Sequence, residues 1–378
     1  MKLRIITFNR AYNYGAVLQC YALSSVIREL GYECEVLDYY PEIFRKTYEM
    51  LASDVSFVSR IKHDLKRLVV LPVLKKRNNN FDSFIRSYIP ISERQYLNTE
   101  EVNGIQSDTD VYITGSDQVW SNIWADFDPV FFLDFPDANS KIKVSYAASF
   151  GFDRFPETLL EEYRSRLKDY RKFSVREESA VSLVENLCKK RALLHCDPTM
   201  LVAREKWSSL IEKRRLVRKP YILIYYTAKS HVLYEFAYEL QKKFGLDIIA
   251  LPCLMDFSVM SGIYDSKNKA RSFPYAGPKE FLNLFWNAEY VLTNTFHGTV
   301  FSIIFRKKFA TQMYRNNKLN YRVDDLFKHL NIERRLEKMG IDEIEIEPYW
   351  DDIDSRIKEL QSEAKSYLNS IGTLGCQI

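Results

Sequence analysis

What this chain lacks narrows it first. None of its 378 residues sit in an apolar run of about 18, so no segment reads as a membrane span. Glycine and proline are sparse at 12 each, while Phe and Tyr number 24 and 25, which argues against disorder and low complexity. A strong charge imbalance is missing too. The net charge of +4 does not require nucleic acid, and no zinc-finger or RNA-binding signature is present. The six cysteines, Cys20, Cys34, Cys188, Cys196, Cys253 and Cys376, form no C-x-x-C pair and no metal or disulfide framework. They are expected to be mostly small buried hydrophobes in a reducing cytoplasm. G-x-G-x-x-G, the P-loop and H-E-x-x-H are all absent. The start, Met1-Lys2-Leu3-Arg4, turns polar too quickly for a secretory signal, so a cytoplasmic protein is expected.

What is present is a repeated strand–helix alternation. The length exceeds a single core, which favours two domains. Residues 3–8 read as a strand, 16–30 as a helix ending at Gly31, and 33–38 as the next strand. Strands follow at 111–114, 142–146, 172–175 and 193–195, with helices from Pro156 and from Arg176-Glu177-Glu178. A basic linker, 213–219, leads to a second alternation, with strands at 221–226, 246–251, 291 onward and near Phe309. The expected plan is α/β: an N-terminal Rossmann-like domain over 1–212, a second over 213–349, and a C-terminal helix, 350–378, packing back on the body. Residues 60–77 are basic and apolar. They read as a solvated helix whose Lys and Arg snorkel over core, with peripheral contact to an anionic membrane surface as the second reading.

Four loops follow strands and should converge on one sheet edge, where open α/β sheets bind ligands. The most informative is Asn294-Thr295-Phe296-His297-Gly298-Thr299, which puts His297 at a strand end and a helix start. The others hold Asn13-Tyr14-Gly15, Gly115-Ser116-Asp117-Gln118-Val119-Trp120, and Arg176. His297 suits proton exchange near neutral pH. Arg176 reads equally as an anion clamp or as an ion-pair partner of Glu177 or Glu178. Asp117 reads as a helix cap or as a group that orients a hydroxyl. Tyr14 and Trp120 read as sugar-stacking platforms or as core. His195 beside Cys196 and Asp197 is discounted as a metal site, because neighbours on a strand face opposite ways.

In order, these motifs resemble the polysaccharide pyruvyl transferase family. The resemblance is carried by 13–19, 115–120, Ser145 to Gly151, Ser174-Val175-Arg176-Glu177, Asp197-Pro198-Thr199 and Thr295 to Thr299. It implies a GT-B-like arrangement with an interdomain cleft, and no metal or other cofactor. It implies transfer of pyruvate from phosphoenolpyruvate to a sugar of a capsule, exopolysaccharide or lipid-linked precursor, as a ketal. His297, Arg176 and Asp117 would be catalytic. Asn13, Tyr14, Gly15, Ser116, Gln118, Trp120, Asn294, Thr295, Gly298 and Thr299 would bind substrate. Where several members carry Arg-Leu-His, this chain has Thr295-Phe296-His297, so the anion contact would fall to Arg176, Arg306 or Arg315. A glycosyltransferase with a nucleotide-sugar donor is the rival enzyme reading. A catalytically silent glycan or membrane binder is the third.

Overall fold

The computed structural model describes residues 1–49, 57–154, 157–253, 264–265, 270–314 and 320–374. Two parallel sheets organise it. The first contains β1 (Lys2–Ile6), β2 (Glu33–Tyr39), β3 (Ile91–Tyr96), β4 (Val111–Thr114) and β5 (Ile142–Ser145), in the order β3-β2-β1-β4-β5. A parallel pair, β6 (Phe173–Val175) and β7 (Ala192–Leu194), continues this sheet through bridges from Val144 to Lys172 and Ala148 to Val175. The second contains β8 (Tyr221–Tyr226), β9 (Asp247–Pro252), β10 (Tyr264–Asp265), β11 (Ala270–Ser272), β12 (Tyr290–Thr293) and β13 (Lys308–Thr311). Its order is β10-β11-β9-β8-β12-β13, and only β10 runs antiparallel. In each sheet the strand order reverses beside the first strand, which opens a crevice at the carboxyl ends of the strands.

The strands are apolar on both faces because helices cover both sides. Every residue of β4, β8 and β12 is buried. The helix Tyr14–Glu29 shows the same pressure: 13 of its 16 residues are buried, so it lies between layers rather than on the surface. One apolar cluster runs from the first sheet into the near face of the second. Tyr14 joins the two: its ring stacks on Phe281 at 4.9 Å and its hydroxyl donates to the Ala276 carbonyl at 3.0 Å.

Two long helices tie the units together. One runs Phe57–Tyr88, with Pro72 inside it. Its Arg77 donates to the Cys253 carbonyl at 3.1 Å, and Asn80 donates to the Tyr275 carbonyl at 2.9 Å. Of the basic-apolar segment 60–77, the side chains of 60–71 lie outside the described residues, and Arg77 is 3% exposed. No helix among the described residues is long and apolar enough to cross a membrane. The other long helix, Trp350–Gly372, returns to the first sheet, where Tyr367 donates to the Ser145 carbonyl at 2.8 Å and Gln361 to the Met200 carbonyl at 2.7 Å.

Several elements fall elsewhere than the periodicity suggests. No helix starts at Gly115: residues 115–128 form turns, and Asp117 holds a positive φ of 79°. The expected start at Pro156 lies outside the described residues, and the helix there runs Leu160–Leu167. The strand β3 carries no clear apolar alternation, since a half-exposed edge strand needs little apolar sequence, whereas the helix Tyr321–Leu330 buries a regular stripe of Val323, Leu326, Phe327 and Leu330.

Candidate functional site

The carboxyl ends of β1, β4, β8, β9, β12 and β13 open on one cleft of about 460 Å³. The first unit contributes Asn13, Ala16, Asp117, Gln118 and Trp124 to its wall. The second contributes Asn294, Thr295, Phe296, His297, Gln312 and Arg322. A cavity of this size suits a small substrate or part of a larger one.

Two helix starts meet there. Asn13 caps the helix Tyr14–Glu29, its Oδ1 accepting from the Gly15 and Ala16 amides at 2.9 and 3.3 Å. Thr295 caps the helix Phe296–Ile304, its Oγ1 accepting from the Gly298 amide at 2.8 Å. The two approach so closely that a Cβ on Gly15 would stand 2.0 Å from His297 Nδ1. Gly15 therefore makes room for the imidazole. Gly298 does the same for the strand beneath: its Cβ would stand 2.2 Å from Thr293 Oγ1. Asn294 pins the neighbouring loop, accepting from the Thr227 amide and donating to the Ala228 carbonyl.

Behind His297 lies Asp197, which is fully buried at the end of β7. His297 Nε2 stands 3.4 Å from Asp197 Oδ2 but is not aligned to donate to it, so the contact is electrostatic. The same oxygen accepts from Arg176 Nη1 at 2.9 Å, and Oδ1 accepts from the Thr199 amide and hydroxyl at 3.0 and 2.7 Å. Burial alone would favour the neutral acid, but His297, Arg176 and the Thr199 hydroxyl outweigh it. The carboxyl is held well below the usual carboxylate range. Asp197 is thus a fixed negative charge on the imidazole.

Arg176 does not line the cleft. Its side chain is 2% exposed, and it meets Asp197, Glu177 at 3.2 Å and Asp117 at 3.7 Å. Burial works against its charge, but the three carboxylates outweigh burial and raise its pKa. Of the two readings of Arg176, these contacts match the ion-pair partner, which holds carboxylates in place. Asp117 reaches the cleft and caps no helix; its Oδ1 accepts from the Gln118 amide at 2.9 Å. Cys253 also borders the cleft, but burial pushes its thiol up to about 11, which removes it as a nucleophile near neutral pH.

Of the ten expected substrate contacts, Asn13, Gln118, Asn294 and Thr295 line the cleft; Gly15 and Gly298 only make room for their neighbours, and four side chains lie elsewhere. Trp120 is fully buried among Phe150, Tyr170 and Phe173, and Tyr14 is core at the junction of the units. Ser116 is buried, its Oγ 3.4 Å from Asp197, and Thr299 bonds the Thr295 carbonyl and Thr311 inside the second unit. Arg306 pairs with Asp354 on the surface, and Arg315 lies outside the described residues. The residues that composition and spacing missed are Asp197, Trp124 and Arg322. Trp124, four positions past Trp120, is 49% exposed at the cleft wall. His195, set aside as a metal ligand, bonds Ser174 Oγ at 2.8 Å, and burial takes it down to about 4.

The polysaccharide pyruvyl transferase family profile matches residues 13–311, from the Asn13 cap to the end of β13. The chain belongs to this family. Every residue of the cleft wall just described as far as Phe296 and His297 falls inside the matched span, whereas Gln312 and Arg322 fall beyond it. No curated protein matches the chain. Among solved structures it resembles the UDP-GlcNAc 2-epimerase of Methanocaldococcus jannaschii in complex with UDP-GlcNAc and UDP. That likeness has 13% identity, 99% of this chain, 100% of that one and a TM-score of 0.52. It also resembles Arabidopsis thaliana UGT89C1 complexed with UDP-L-rhamnose, at 12% identity, 99% and 98% coverage and a TM-score of 0.49. This polysaccharide pyruvyl transferase family member thus has two Rossmann-like units facing across a cleft in a GT-B-like arrangement.

Proposed function

We propose that the chain moves the pyruvyl group of phosphoenolpyruvate onto two hydroxyls of a sugar, as a ketal. The sugar belongs to a surface polysaccharide or its lipid-linked precursor. Family membership supports the reaction class. The observation that carries the reading within this chain is the His297–Asp197 pair at the cleft wall, a proton-transfer group held against a buried, ionised carboxylate.

The reaction begins when His297 gives a proton to the methylene carbon of the donor, so that CH2 becomes CH3 and C2 gains cationic character. An acceptor hydroxyl adds at C2. The C2–O bond to phosphate then breaks, its electron pair leaving with phosphate, and a second hydroxyl closes the ketal. The two hydroxyl protons balance the step: one restores His297 and the other leaves with phosphate. Asp197 stabilises the charged imidazole, and Arg176 positions Asp197 and Asp117. Asp117 orients the attacking hydroxyl from the first-unit wall. Trp124, rather than Trp120, offers an aromatic face to the sugar ring. No step calls for a metal or a redox cofactor.

The deciding assay is phosphate release from phosphoenolpyruvate with a panel of galactose-, mannose- and glucuronate-containing lipid-linked acceptors. The expected result is acceptor-dependent release with a product heavier by about 70 Da (pyruvate added, water lost). Absence of release with every acceptor, together with a thermal shift by UDP or GDP, would move the reading to nucleotide-sugar transfer.

A further inference from the structure

Among the described residues, Arg322 forms no ion pair. It sits on the helix Tyr321–Leu330 and reaches the cleft wall. No hydrogen bond or ion pair engages it among the described residues, and its Nε is shut off from solvent with no acceptor. The other arginines reaching this region each have a partner, although Nη1 of Arg77 and Nη2 of Arg176 stay unbonded: Arg10 meets Asp38 and Asp82, Arg77 the Cys253 carbonyl, and Arg176 three carboxylates. Burial and the nearby Arg176 both disfavour the Arg322 charge. A buried donor left unbonded costs free energy and gives the fold nothing.

Its surroundings are short of acceptors. The guanidinium carbons of Arg322 and Arg176 lie 5.9 and 4.8 Å from the centre of the Phe296 ring. Phe296 opens the helix that carries His297, so the positive end of that helix borders the same part of the cleft. Arg176 Nη2 and His297 Nε2 are further buried nitrogens without a hydrogen-bond partner. The carboxylates nearby are spent on Arg176 and His297, and among the described residues none comes within ion-pair distance of Arg322.

We infer that Arg322 and the N-terminus of the helix Phe296–Ile304 form an oxyanion subsite, which takes the phosphoryl group of the small anionic donor. The inference rests on the pyruvyl-transfer reading for the identity of the donor, but the anion site stands on its own geometry. A planar guanidinium grips two phosphoryl oxygens at once, and the helix end adds backbone N–H groups. The phosphate leaving group would then depart from the second-unit wall, opposite Asp117 and Trp124.

The test uses the full chain, its Arg322→Met and Arg322→Lys variants, and inorganic phosphate as the probe, with phosphoenolpyruvate, pyruvate and UDP run alongside by calorimetry. For Arg322→Met, the expected loss in affinity for phosphate and for phosphoenolpyruvate is about 10- to 100-fold, the worth of a charged hydrogen-bonded contact. Pyruvate binding stays unchanged, and Arg322→Lys recovers part of the loss. The unliganded melting temperature of Arg322→Met does not fall, because among the described residues Arg322 makes no hydrogen bond or ion pair, and Met keeps an apolar contact with the Phe296 ring. Equal phosphate affinity in wild type and Arg322→Met would overturn the inference, as would a melting temperature that drops in the variant without ligand. If phosphate binds through Arg322 while phosphoenolpyruvate never turns over, the subsite stands and the pyruvyl-transfer reading falls.

Discussion

Gly15→Ala offers the sharpest probe of the junction between the two helix starts. The added methyl would stand 2.0 Å from His297 Nδ1, 2.4 Å from Cγ and 2.6 Å from Cε1. Ordinary contact begins near 3.4 Å, so ring and helix must separate by roughly 1.4 Å. Asp197, 3.4 Å from Nε2 and itself fixed by Arg176 and Thr199, blocks retreat on that side, so the ring must shift away from Asp197 toward the open cleft. A displacement near 1 Å in a positioned reacting group costs on the order of 100-fold in rate. Stability should change far less. Overpacking costs about 1–3 kcal/mol, while replacing a helical glycine by alanine returns up to about 1 kcal/mol. The assay pairs steady-state kinetics on phosphoenolpyruvate with denaturant melts. The expected outcome is a fall in kcat of about two orders of magnitude with at most a modest loss of stability. A variant with wild-type kcat would refute both the close approach and the role given to His297.

Other expectations follow from the same contacts. Asp197→Asn should remove most turnover, and denaturant melts across pH should show its structural share. The folded-state carboxyl titrates below its unfolded value, so its contribution is complete above about pH 4 and is lost as the pH falls through the depressed pKa. The stability gap between wild type and variant should therefore be widest near neutrality and narrow below that point. Trp124→Ala should raise the acceptor KM several-fold and leave the melting temperature unchanged, since the side chain is half exposed. Trp120→Ala, in contrast, should cost about 3–5 kcal/mol whatever the substrate, as expected for a fully buried ring. Arg306→Ala should change stability by no more than about 0.5 kcal/mol and leave donor KM alone, because its partner Asp354 lies on the surface.

Periodicity carried much of the fold because two-sided burial leaves a strong signal. Strands such as Tyr221–Tyr226 are wholly apolar or aromatic, and the helix His231–Phe244 repeats its apolar face over 14 residues. The site was legible only in outline. His297, Asn13 and Thr295 sit where strand ends and helix starts dictate, and local sequence encodes both. Trp120 and Trp124 differ in exposure for a reason that local sequence does not encode. The turns between them, with left-handed residues at Asp126 and Phe127 just beyond, send one ring inward and the other out. Arg322 escaped for a related reason. A lone arginine beside the apolar stripe of a short helix looks solvated, and only the tertiary arrangement reveals that among the described residues no carboxylate pairs with it.

The junction of the units bears on how the cleft works. Facing domains move relative to one another by default unless their interface is large and apolar. Here Tyr14 and Phe281 stack across it, one apolar cluster spans both units, and Arg77 and Asn80 of a single long helix bond to the second unit. Opening at Gly15 and His297 would require breaking these contacts together. His297 of one unit is therefore registered on the capped helix of the other before any substrate arrives. Such preorganisation is what the proposed proton transfer from His297 to a carbon centre would need, since that step gains from fixed geometry.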